Sequence, residues 1–84
     1  MTELMETLFL YAQEHRFLTY CNQETAYRES RHAIDRQETL LREALSKEQA
    51  HRLDDLMSEL HAMQWIELEA MFQAGFSIAV ELGR

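Results

Sequence analysis

Residues 46–84 read SKEQAHRLDDLMSELHAMQWIELEAMFQAGFSIAVELGR, and this stretch decides the fold. Ser46 is followed three residues later by Gln49, the capping-box spacing that starts a helix. Glu48 adds a negative charge to the first turn, where the helix dipole favours it. No Pro follows, and helix formers dominate, so the spacing predicts one helix over 46–82. Its first half carries an ordinary amphipathic stripe of Leu53, Leu56, Met57, Leu60 and Met63. From Trp65 the apolar arc widens to take in Leu68, Met71, Phe72, Gly75, Phe76, Ile78, Ala79 and Leu82. A helix apolar over so much of its circumference needs neighbours on more than one side. Gly75 costs roughly 1 kcal/mol inside a helix relative to Ala, so the pattern predicts a close approach of another element there.

The preceding segment predicts a helix over about 23–45, with a narrow seam of Tyr27, Ile34 and Leu41 at seven-residue spacing. That spacing fits coiled-coil-like pairing. The connection through Leu45 and Ser46 is short, which favours an antiparallel hairpin with the last helix. At the other end Thr2 is a candidate N-cap, with Glu3 and Glu6 in the first turn. A first helix is expected over about 2–18, carrying Leu4, Leu8, Phe9, Tyr11 and Leu18 on its apolar face. Residues 19–23 (TYCNQ) are weak helix formers, so a break or a bend is placed there, with Asn22 as candidate cap of the second helix; neither Pro nor Gly enforces a stop, which leaves a continuous helix open. The expectation is therefore an all-α fold of three helices in a single domain over 1–84, with its bundle completed by oligomerisation.

Composition supports this reading. The chain of 84 residues has no Pro and two Gly, which argues against β architecture and its turns. A domain this small buries a modest fraction of its surface, and oligomerisation is a natural supplement. The formal net charge is −7, and the arginines of residues 28–36 are interleaved with Glu and Asp, so no nucleic-acid footprint is expected. An acidic nucleic-acid mimic would need a contiguous acidic face, which this interleaving does not give. Glu67, Glu69, Gln73 and Glu81 disfavour a membrane span through the apolar C-terminal half. One cysteine and an acidic start to the chain favour the cytoplasm.

Three groups of residues could carry chemistry. Glu29 with His32, and Glu48 with His51, each form a Glu-x-x-His pair, as in ferritin-like di-metal carboxylate proteins. Such ligands must project into a bundle core, yet at about 100° per residue both pairs fall away from the apolar stripes. A metal site is therefore the alternative reading. His15 lies on the apolar face of the first helix, which predicts a buried imidazole with a hydrogen-bond partner; a pH-sensitive contact is the sharper possibility. His61, at a stripe boundary, suggests no role. Cys21 has no complete constellation around it and reads as a half-buried small hydrophobe.

The segment Leu68–Gly83, with Phe72, Gly75 and Phe76 as Phe-x-x-Gly-Phe, resembles a small all-helical family, a domain of unknown function of Firmicutes and their mobile elements. Where that pattern has a second Gly, this chain has Ala79. The resemblance implies a helical domain and supplies no activity, cofactor or site residue. The expected function is a non-enzymatic, self-associating interaction module without a cofactor. It is expected to be a homo-oligomer, with a protein partner as a further possibility. The expected interface is Trp65, Leu68, Met71, Phe72, Gly75, Phe76, Ala79 and Leu82.

Overall fold

The computed structural model describes all 84 residues and is all-helical. It has four helices rather than three: α1 (Glu3–His15), α2 (Phe17–Gln23), α3 (Thr25–Ala44) and α4 (Lys47–Leu82). The extra helix comes from the expected break at 19–23, which is helical throughout. The chain turns instead at the residues on either side, Arg16 (φ −127°, ψ −35°) and Glu24 (φ −94°, ψ 117°). Intrinsic propensity in 19–23 is weak, but Phe17, Tyr20 and Cys21 line a hollow against Leu68 and Phe72 of α4. The propensity deficit there is a few tenths of a kcal/mol per residue, too small by itself to stop a helix. The turn at Arg16 lets Phe9 of α1 and Phe17 of α2 reach the same ridge of α4. Asn22 caps nothing; its carbonyl instead accepts from the Arg28 guanidinium, which closes the end of α2.

The other helix starts follow their local chemistry. The Met5 N–H donates to Thr2 Oγ1 at 3.2 Å. At the head of α4 the capping box is complete in both directions. The Gln49 N–H donates to Ser46 Oγ at 3.2 Å, and the Ser46 N–H donates to Gln49 Oε1 at 3.0 Å. This box turns the chain between α3 and α4, which run antiparallel. Near the turn Arg42 donates to Asp54 Oδ1 at 2.7 Å and to Glu38 Oε1 at 2.9 Å. Those bonds, that to Asp54 first, raise the Arg42 pKa above its ordinary value. At the far end Tyr27 of α3 lies across a cleft from Leu68 and Met71.

Helix α4 has 36 residues and spans the molecule. At about 1.5 Å per residue it is roughly 54 Å long, and the longest dimension of the chain is 56 Å. The radius of gyration is 17.1 Å, against about 12 Å for a compact domain of this length. One residue is buried, Phe9, at 4% exposure.

The capping box gives a first test. Ser46→Ala removes one of its two hydrogen bonds and is expected to cost about 1 kcal/mol, measured by urea unfolding followed by circular dichroism at fixed protein concentration.

Candidate functional site

The apolar arc of α4 divides into two stripes. At about 100° per residue, Trp65, Leu68, Phe72, Phe76 and Ala79 cluster on one line. Met71, Gly75, Ile78 and Leu82 cluster on a second, roughly a quarter-turn away. The two stripes have different surroundings.

The first stripe meets the α1–α2 arm. Phe9 enters between Trp65 and Phe72, with ring centroids 5.3 and 5.6 Å away and interplanar angles of 84° and 67°. Both are edge-to-face contacts, the arrangement the ring quadrupoles prefer. Phe72 stacks on Phe76 at 6.3 Å, one turn further along α4. Leu68, Phe72 and Phe76 are half-buried as a result. Phe9 was legible in the sequence only as one member of an apolar face. Its role as the anchor depends on where α1 crosses α4, and local spacing does not encode that.

The second stripe continues the line of α4 that α3 faces. Met57, Leu60 and Gln64 lie opposite Ile34 and Arg31 of α3, and Met71 lies near the start of that helix. Beyond it the stripe goes on for three turns without a neighbour. Met71 is 72% exposed, Ile78 58% and Leu82 82%. A Cβ added at Gly75 would meet no heavy atom within 4 Å. The close approach predicted at Gly75 is therefore not made within the chain. No hydrogen bond, ion pair or aromatic contact joins residues 73–84 to another helix. Of the expected interface residues, Trp65, Leu68 and Phe72 thus meet the chain's own first two helices, and Met71, Gly75, Ala79 and Leu82 face solvent.

The candidate chemistry separates in space. Glu29, His32, Glu48 and His51 are all exposed, on two different helices. No group of three or more His, Cys, Asp or Glu side chains is placed to hold a metal ion. The buried imidazole expected at residue 15 is not found. The His15 side chain is 57% exposed, beside Glu14 at 3.7 Å, with the Tyr11 ring 4.7 Å away. The apolar face of α1 turns Phe9 toward α4, and one further turn and a half brings His15 to the edge of the arm. His61 borders the cleft between α3 and α4 and is exposed. Cys21 is half-buried in the hollow of about 350 Å³ formed with Phe9, Phe17, Leu68 and Phe72, with Arg16 and Gln13 as polar neighbours. None of the residues around it is a His or a carboxylate that could serve as its base. No helix is long and apolar enough to cross a membrane.

Residues 1–83 match the model of a family of unknown function, DUF6809, and the chain belongs to that family. No curated protein and no solved structure shows a match.

Phe9 is the one buried side chain of the arm, so Phe9→Ala is expected to loosen the arm at a cost of ~3 kcal/mol. Hydrogen exchange should then show α1 amides losing protection while α3 and the first half of α4 keep theirs.

Proposed function

We propose that this protein is a non-enzymatic helical module that self-associates through the C-terminal half of α4. The observation that carries this reading is the unaccompanied apolar stripe Met71, Gly75, Ile78 and Leu82. Surface area supports it. The chain exposes 7225 Å², where a compact monomer of 10.0 kDa exposes about 5,200 Å². The excess of about 2,000 Å² is more than the roughly 800 Å² that each partner of a stable complex gives up. Much of it is apolar, from Leu4 and Leu10 on α1 to Ile66, Ile78 and Val80 on α4. The contiguous part of it is the stripe of Met71, Ile78 and Leu82, and an exposed apolar patch of this kind marks an interaction site.

A non-enzymatic role is supported by the dispersal of the titratable residues over exposed faces and by the setting of Cys21, which has no His or carboxylate beside it. The unpaired thiol favours a cytoplasmic setting. The Phe72, Gly75 and Phe76 pattern favours an origin in Firmicutes or their mobile elements. A second protein of complementary apolar character is the other occupant the same surface would accept.

Light scattering over a wide concentration range tests the reading. Wild type is expected to be a dimer or larger. Ile78→Glu, at a position already exposed in the single chain, is expected to give a monomer with unchanged helicity. A wild-type monomer at every concentration would overturn the proposal.

A further inference from the structure

The open stripe has a spacing that reads the same in both directions. Met71, Gly75, Ile78 and Leu82 are separated by 4, 3 and 4 residues. An antiparallel copy of the same stripe therefore meets it position for position. Met71 comes level with the second copy's Leu82, and Gly75 with the second copy's Ile78. The two middle positions differ in size in the useful sense: Ile78 is a branched knob, and Gly75 is a gap with no heavy atom within 4 Å of where its Cβ would be. At the outer positions Met71 and Leu82 are the most exposed large apolar residues of the chain.

Charge selects the direction. Residues 65–83 carry Glu67, Glu69 and Glu81 and no Lys or Arg. In a parallel pair each carboxylate stands level with its own copy, and like charges so placed repel. In the antiparallel register Glu81 comes level with the second copy's Phe72, so the carboxylates of the two copies stand apart along the pair. The helix dipoles also oppose each other in this direction.

We infer that two copies pair α4 to α4 in antiparallel fashion about a two-fold axis between Phe76 and Ser77, with Ile78 of each seated over Gly75 of the other. This rests on the self-association proposed above and adds its occupant, direction and register. Each copy then supplies the neighbour that α3 is too short to be. The contact is isologous, the same patch on both chains, as closed dimers require.

Cysteine cross-linking tests the register. In a Cys21→Ser background, chains carrying Met71→Cys and Leu82→Cys are mixed and oxidised, and light scattering is run on the same samples. Both positions are exposed in the single chain, so folding is not at stake. A mixed 71–82 disulfide as the main product is expected. Predominant 71–71 and 82–82 products would mean a parallel pair and overturn the inference. A dimer that gives no cross-link at all overturns the register and leaves self-association standing. A monomer overturns both. Gly75→Ala is an independent arm, because the new methyl group favours the helix and meets open space within the chain. It is expected to weaken dimerisation at least tenfold by occupying the seat of Ile78. Dimerisation as tight as wild type, or tighter, would overturn the inference.

Discussion

The structure depends on a mismatch of length. Helix α4 has 36 residues and the helix that runs back along it has 20. An antiparallel hairpin can pair two helices only over the length of the shorter one. The capping box at Ser46 fixes the closed end, so all of the difference accumulates at the other. The α1–α2 arm takes up one side of the excess, through Phe9, Trp65 and Phe72. It does so with two short helices crossing a ridge, which cover Leu68 and Phe72 and leave the adjacent stripe bare. The elongated shape and the open face follow from this difference in helix length.

Where local chemistry decides, the sequence was a sufficient guide. Ser46 with Gln49, and Thr2 with the first-turn glutamates, announce helix starts because the caps are made within three residues. The division of the first half was not legible. Arg16 carries no Gly or Pro to mark a turn, and its φ of −127° is open to any residue. What chooses it is the geometry of Phe9 and Phe17 on α4, more than forty residues away in sequence. Residues 19–23 show the converse. Their composition suggests a break, yet the segment is helical throughout, with Phe17, Tyr20 and Cys21 turned to a hollow beside α4. Gly75 was read as a point of close approach, and the single chain leaves it open. His15 was placed on the right helix and on the wrong side of its edge, since the direction in which α1 crosses α4 is a tertiary fact.

The residues that could have carried chemistry illustrate how weak spacing is without direction. Two Glu-x-x-His pairs on different helices share a pattern with metal proteins, yet their side chains leave the helices toward solvent on separate faces. Arg42 is the one cation held by two carboxylates, and it ties the closed end of the hairpin together. Polar groups in this chain serve helix ends, the turn and the exposed faces. Large apolar side chains gather on the C-terminal half of α4.

The docking of α1 has a consequence for any assembly. Phe9 recognises two rings of α4, and every copy of the chain offers the same two rings. The arm finds its own α4 because α2 joins it to the hairpin of α3 and α4, which holds it at a high effective concentration, on the order of millimolar for a short link. Affinity does not distinguish self from neighbour. Wherever a second α4 is held as close as the first, the turns at Arg16 and Glu24 are all that decides which chain the arm belongs to, and exchange of arms between copies becomes a matter of reach.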